Sequence, residues 1–228
     1  MNKTKIDWCD YTFNPVTGCL GPNNEGTTCS FCYARRIAER FRGTPAFPNG
    51  FEPTFHEERL LDPDLQRIPA GSRVFVGSMT DLGAPWAAEH LPRILEAVRA
   101  RPDVAFIFLT KQPDGFRRVV WPANCWVGVT VNSVVDAWRM DLPAAFADRW
   151  FVSAEPLLGP IVSPHVSYLD WLIIGAQTGP RAVAPDPEWI RLLLHSADAW
   201  GVPVFMKDNL RRHWDGEWRQ EYPRGATT

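Results

Sequence analysis

The sequence has no apolar run of the roughly 18 residues that a membrane-crossing helix needs. Its first residues, MNKTKIDWCD, lack the apolar stretch of a secretory leader. Both absences lead to the expectation of a cytoplasmic protein. Net charge is scarce too: 24 basic and 26 acidic residues leave −2. A chain so near neutrality is not a strongly electrostatic nucleic-acid binder, although a local basic patch such as Arg211, Arg212 and His213 is compatible with that balance. Cysteines are few and odd in number, five, which argues against a disulfide framework. No linker or low-complexity segment splits the chain.

What is present is ordinary for a globular fold. Apolar residues make up 45% of the 228 and charged residues 22%, which excludes disorder, collagen and coiled coil as descriptions of the whole chain. A domain of this length buries roughly 70% of its unfolded surface and stands without staples. Eleven tryptophans and 21 prolines supply flat apolar surfaces and rigid corners.

Four of the five cysteines, Cys9, Cys19, Cys29 and Cys32, fall within 24 residues. Cys29-Ser-Phe-Cys32 brings two thiolates within one turn, able to grip one metal centre, and Cys19 adds a third from the same loop. Three readings compete. A redox C-x-x-C pair needs no third cysteine. A zinc site would recruit Cys9 beside Cys19, Cys29 and Cys32, but its spacing is unlike the two close pairs of a zinc ribbon. The third reading is an iron–sulfur cluster with one iron left open. Cys125 opens an apolar run and reads as a buried core thiol.

Short apolar runs at Thr12–Thr17, Phe51–His56, Arg73–Met79, Val104–Thr110, Cys125–Val131, Trp150–Ala154, Asp170–Gly175 and Pro203–Met206 read as buried parallel strands. Helical patterns fall at Ser30–Arg42, Trp86–Arg101, Asp136–Ala147 and Pro187–Trp200, the last with Asp186 as its cap. The alternation predicts an α/β fold, a parallel (β/α) barrel, TIM-like and partial or closed, in a single domain. Residues 1–214 form that barrel, with the cysteine loop at 19–32, and residues 215–228 form a polar C-terminal tail. In such folds chemistry sits at the C-terminal strand ends. Here those ends carry Ser78-Met79-Thr80-Asp81, Thr110-Lys111-Gln112, Thr130-Val131-Asn132, Ser153-Ala154-Glu155, Gln177-Thr178-Gly179 and Lys207-Asp208-Asn209. One polar ending is an ordinary cap; several converging on a cysteine loop form a ligand pocket.

A barrel whose cysteine loop closes on Cys32-Tyr33 resembles the radical SAM superfamily. Nine residues separate Cys19 from Cys29, where the usual loop has three. Phe13-Asn14-Pro15-Val16-Thr17-Gly18-Cys19, Cys32-Tyr33-Ala34, Val76-Gly77-Ser78-Met79-Thr80-Asp81, Leu109-Thr110-Lys111, Glu155-Pro156-Leu157-Leu158-Gly159-Pro160 and Asp170-Trp171 look like a phage-associated three-Cys-motif family of radical-SAM-like proteins, in which the first gap is commonly expanded. More distantly, Cys29 to Arg35, Thr80-Asp81 and Thr110-Lys111 are similar to spore photoproduct lyase and its relatives, which repair a thymine dimer in DNA.

The resemblance implies a [4Fe–4S] cluster on Cys19, Cys29 and Cys32, with S-adenosylmethionine chelating the open iron. Reduction of that pair would yield a 5′-deoxyadenosyl radical that takes hydrogen from the substrate. A nucleic acid or nucleotide is the favoured substrate class, and a separate reductant protein is implied. Ser78, Thr80 and Asp81 are expected at the methionine amine. Thr130, Asn132, Ser153 and Glu155 are expected at the ribose and carboxylate, and Tyr33 at the adenine. Lys111, Gln177 and Lys207 are the expected substrate contacts. Against these stand plainer roles: Asp81 as a helix cap, Ser153 and Glu155 as a buried polar network, and the lysines as solvent-facing. The rival classes are a structural zinc protein or nucleic-acid-binding module on Cys9, Cys19, Cys29 and Cys32, and a degenerate barrel that only senses the cofactor.

Overall fold

The computed structural model describes residues 2–22, 29–61, 63–141, 146–162, 164–179 and 181–225. Most of the long gap between Cys19 and Cys29, and residues 142–145 of the helix read at Asp136–Ala147, lie outside them. The chain divides into two compact units, one ending at Cys125 and the other beginning at Trp126.

In the first unit Pro15 decides where the first strand stops. Proline has no N–H to give a ladder, so the run read as Thr12–Thr17 divides into β2 (Tyr11–Phe13) and β3 (Val16–Thr17). A short β1 (Asn2–Lys3) lies antiparallel on β2. After α1 (Tyr33–Arg40), the run read as Phe51–His56 shortens to β4 (Thr54–Phe55), which pairs antiparallel with β3 and not with the parallel strands. Beyond α2 (Pro63–Arg67), β5 (Arg73–Val76) pairs parallel with β2. The helix read over Trp86–Arg101 is two, α3 (Pro85–Ala88) and α4 (Leu91–Arg99). Pro92, near the start of α4, cannot donate back into a continuous helix. Leu91, Ile94, Leu95 and Val98 form the buried stripe of α4. Then β6 (Ala105–Thr110) pairs parallel with β5.

The second unit runs through β7 (Cys125–Thr130), β8 (Trp150–Ala154), β9 (Trp171–Ile174), α5 (Pro187–Trp200) and β10 (Val204–Met206). Its strands pair parallel in chain order, β7 on β8, β8 on β9 and β9 on β10. Every residue of these four strands is buried. That explains their unbroken apolar character. Gly128 is required because the Phe151 ring would stand 2.3 Å from any Cβ there. The segment read as Asp136–Ala147 opens as a 3-10 turn over Val134–Asp141 instead of an α-helix. α5 matches its reading: Asp186 caps it by accepting from the Glu188 N–H at 2.8 Å, and Gly201 ends it in the left-handed conformation.

Part of the tail, around Arg219–Glu221, is hydrogen-bonded to β10. Met206 N–H donates to Arg219 O at 2.8 Å and Glu221 N–H to Val204 O at 2.9 Å, so the tail covers the free edge of β10. The fold class is α/β with mostly parallel strands, as the alternation predicts. The strand order is β1-β2-β5-β6 in the first unit and β7-β8-β9-β10 in the second.

Two buried groups in the first unit generate predictions. Arg101 donates to Leu65 O at 2.6 Å and Ile68 O at 2.7 Å while forking onto Asp103. A lysine cannot reproduce that fork. Arg101→Lys is expected to lower unfolding stability by about 2 kcal/mol in urea titration, since a buried carbonyl loses its donor; an unchanged midpoint would refute the assignment. His56 is buried against Thr17, with Nε2 and Oγ1 at 2.8 Å. Burial, then the Arg59 charge, holds its pKa below the ordinary value, against a weaker pull from Glu58. The unfolded chain therefore binds this proton more readily than the folded one. The stabilising neutral state is fully present above about pH 6.5 and is lost as pH falls below it. His56→Gln is expected to flatten the decline in urea midpoint between about pH 7.5 and 5.5.

Candidate functional site

The C-terminal ends of β2, β3 and β5 are tied together before the cysteines begin. The Asn14 side-chain oxygen accepts from Ser78 Oγ at 3.1 Å and from the Met79 N–H at 3.2 Å. Thr80 Oγ1 donates to Gly18 O at 2.8 Å, and Gly18 N–H donates to Met79 O at 3.0 Å. Gly18 has φ +84°, and a Cβ there would lie 2.3 Å from Glu52 O. No other residue fits that turn without displacing the backbone. Cys19 follows at once, its N–H donating to Phe51 O at 3.1 Å.

The other two cysteines enter α1. Cys32 N–H donates to Cys29 O at 3.0 Å, closing a turn. Cys32 is the cap residue of α1, and its Sγ accepts from the Arg35 N–H at 3.4 Å. Cys19 Sγ accepts from the Gly21 N–H at 3.2 Å. Sulfurs that receive backbone N–H groups are set up to hold negative charge. The Tyr33 hydroxyl donates to Ser78 O at 2.6 Å, which ties the start of α1 to the end of β5. Cys19 and Cys32 both rest on the apolar patch of Ala34, Ala38, Phe51 and Met79.

The three thiols act on one another. Burial pushes Cys19 up to about 12; the Gly21 N–H opposes this, and the charges of Asp81, Cys32 and Cys29 add to it. Cys29 is also raised, by burial first, while Lys111 favours its thiolate and Cys32 and Asp81 disfavour it. Two desolvated thiols, Cys19 and Cys29, thus stand near the Asp81 carboxylate, and a cationic centre would add to what Lys111 supplies. Among the described residues no three His, Cys, Asp or Glu side chains are packed tightly enough to hold one metal ion. A cluster takes each thiolate on a different iron, so its ligands stand further apart than those of one ion. Cys9, the fourth ligand of the zinc reading, is only 5% exposed and packed in the core, as is Cys125.

Asp81 organises the end of β6. Its Oδ1 accepts from the Thr110 hydroxyl and from the Gly83 N–H at 3.1 Å, and its Oδ2 from the Lys111 N–H at 3.0 Å. It is not the cap of α3, whose cap position is Ala84. Gly83 allows the close approach, since a Cβ there would stand 2.3 Å from Gln112 O and Thr110 Oγ1. Ser78, Thr80, Asp81 and Tyr33 are thus brought together with the cysteines in the first unit, and each already bonds the protein's own backbone or side chains.

In the second unit Lys207 Nζ donates to Glu155 Oε1 at 2.6 Å. Asn209 grips Ala176 with both ends of its amide, at 2.9 Å each, and reaches Glu155 at 3.4 Å. Gly175 has no room for a Cβ, which would meet Glu155 Cδ at 2.9 Å. Asn132 donates to Pro156 O at 2.7 Å, stapling two strand-end loops. Thr130 and Ser153 are buried. Gln177 accepts from the Val183 N–H at 3.0 Å. Asn14 and Asn209, named above only as members of motifs, hold strand ends in place. Their signal was an asparagine at a strand end, within Phe13–Cys19 and Met206–Asn209 respectively.

A family model described as a protein of unknown function (DUF5131) matches residues 3–224. No curated protein matches the chain by sequence. Among solved structures, a Cys-to-Ser mutant of spore photoproduct lyase is similar at 11% identity and a TM-score of 0.58, covering 90% of this chain and 79% of that one. A Cys-to-Ala mutant of the same enzyme with a dinucleoside spore photoproduct matches at 10% identity and a TM-score of 0.53, covering 86% and 63%. A double mutant with bound AdoMet and the dinucleoside matches at 12% and 0.50, again covering 86% and 63%. At these identities the likeness shows the fold alone. Among the described residues no helix is long and apolar enough to cross a membrane.

The carboxylate network gives the next expectation. Asp81→Ala strands two backbone N–H groups and is expected to lower stability by about 3 kcal/mol. Asp81→Asn, with one acceptor oxygen in place of two, is expected to lose roughly half as much in the same urea titration. Equal stability of all three proteins would show that the network does not hold the strand ends.

Proposed function

The chain belongs to that family of proteins of unknown function, and on that premise we propose that it is a radical SAM enzyme. One observation carries the reading. Cys19, Cys29 and Cys32 stand within electrostatic reach of one another on a fold shared with spore photoproduct lyase. Cys19, Cys29 and Cys32 would hold a [4Fe–4S] cluster, with S-adenosylmethionine on the open iron. When bound, that pair supplies reductive cleavage of a carbon–sulfur bond and hydrogen abstraction from a substrate.

The chain's own residues do the positioning. The Asn14, Thr80 and Gly18 contacts fix where Cys19 leaves the strand ends. The cap role of Cys32 fixes it at the start of α1. The apolar patch of Ala34, Ala38, Phe51 and Met79 keeps water from one side of Cys19 and Cys32. Lys111 offsets negative charge at Cys29. Asp81 keeps Lys111 in place through its backbone N–H and leaves one carboxylate lone pair for a cationic amine. Ser78, Thr80 and Tyr33 present the remaining polar atoms beside it. The motifs shared with the phage-associated three-Cys family and a nucleotide or nucleic-acid substrate belong to the same proposal, as does a protein reductant.

Anaerobic purification with iron, sulfide and zinc analysis tests it. About four irons per chain and a brown colour bleached by dithionite are expected. Cys19→Ala, Cys29→Ala and Cys32→Ala are each expected to lose the iron, and Cys9→Ala and Cys125→Ala to keep it. A cluster that survives Cys29→Ala, or one zinc with no iron, would overturn the reading.

A further inference from the structure

Among the described residues eleven arginines pair with a carboxylate, while others, such as Arg99, Arg118 and Arg212, do not. Arg42, Arg73, Arg93, Arg101, Arg139 and Arg219, on many elements, all sit on carboxylates. Arg36 and Arg40 do not: no carboxylate pairs with either among the described residues. They lie one turn apart on α1, the helix that Cys32 caps. The spacing i, i+3, i+4, i+7 puts Tyr33, Arg36, Ile37 and Arg40 on one face. Ala34 and Ala38 are the buried residues of the helix, next to Ile37 around its axis. Tyr33 is 43% exposed, Ile37 39% and Phe41 47%, and the Arg40 guanidinium lies 5.6 Å from the Phe41 ring centroid. This face therefore offers two uncompensated cations one turn apart, flanked by two exposed aromatic rings. It begins at the cysteine motif, because the Tyr33 hydroxyl is bonded to Ser78 O.

We infer that the exposed face of α1 binds single-stranded nucleic acid, with Arg36 and Arg40 on phosphates and Phe41 as a stacking surface for a base. The inference rests on the enzymatic reading above only in naming this strand as the substrate; the binding itself needs no cluster. Phosphate oxygens supply the charge that the arginines lack, and guanidinium groups match them in a forked geometry. Exposed rings beside the cations add sequence-tolerant stacking. In a chain of net charge −2 this binding is local and draws on few phosphates, so its salt dependence should be shallow.

The test is fluorescence anisotropy with a labelled oligothymidine of about twelve nucleotides, over a range of salt concentrations. Iron content is measured on the same samples. Arg36→Glu/Arg40→Glu is expected to weaken binding more than tenfold at low salt. Arg36→Gln/Arg40→Gln is expected to lower the salt slope by about 1.4, the value for two phosphates on a single strand. Phe41→Ala is expected to weaken binding about tenfold with the slope unchanged. Arg67→Glu, an exposed arginine elsewhere in the first unit, is expected to bind as the parent does. Binding that is unchanged in the Gln pair, or equally weakened by Arg67→Glu, overturns the inference. So does attachment to anionic vesicles without oligonucleotide binding. Absence of iron in the parent protein would sink the radical SAM reading and leave this surface standing or falling on its own binding data.

Discussion

The Asp81 carboxylate sets the geometry on which the first unit's polar strand ends depend. It receives a hydroxyl and two backbone N–H groups from the ends of two segments that meet at Gly83 and Thr110. Hydrogen bonds to an ionised acceptor are about twice as strong as neutral ones. The approach is close enough to demand glycine on both sides: a Cβ on Gly115 would stand 2.0 Å from Gly83 O. The Asn14 contacts make a second tie, between β2 and the segment after β5. The cysteine loop therefore leaves from a rigid base. Sites supported by packed strand ends hold their geometry better than sites built on loops alone.

The same carboxylate has an electrostatic consequence. Its charge raises both Cys19 and Cys29, so what stabilises the fold works against ionising the thiols. Lys111 counters it from the same network, with its backbone held by Asp81 and its ammonium favouring the Cys29 thiolate. A cationic group bound to the thiolates would relieve the remaining imbalance. If the chain holds the cluster proposed above, fold stability and cluster binding would meet at this one side chain.

How far the sequence disclosed this differs by level. α5 was legible because its signals are local: Asp186, Pro187 and Gly201 each act within one turn. The buried strands of the second unit were legible because burial on both faces leaves an apolar run that needs no partner to be recognised. Phe51–His56 misled for the opposite reason. Phe51 is buried against Ala34, Ala38 and Met79, and the half-buried Phe55 pairs antiparallel with Val16 and stacks on His90, so neither has a parallel neighbour. Trp86–Arg101 kept a helical period across a break that a proline near position 91 imposes. The polar strand ends were visible as a group, but their individual tasks were not. Asn14 meets a partner 64 residues away and Asn209 one 33 residues away. No periodicity encodes such pairings. Asn132, chosen as a cofactor contact, has its amide engaged by Pro156 O, which only the folded loops reveal.

α1 shows why exposed residues beside a site deserve a physical account. A helix of eight residues is marginal on propensity alone. Only Ala34 and Ala38 are buried on it, and two methyl groups contribute on the order of 1–2 kcal/mol. Its place is fixed instead by polar contacts at both ends. Cys32 caps its start, and Glu39 is held between the Arg42 guanidinium and the Phe51 N–H near its end. None of these end contacts uses Arg36, Ile37 or Arg40, and among the described residues no carboxylate pairs with either arginine, although Arg40 lies in the last turn and over the Phe41 ring. A ligand covering that face would bury Ile37 and Phe41 and quiet the helix that carries Cys32 and Tyr33. Substrate engagement and the order of the cysteine motif would then share one element, because the helix that would bind the strand is the one Cys32 caps.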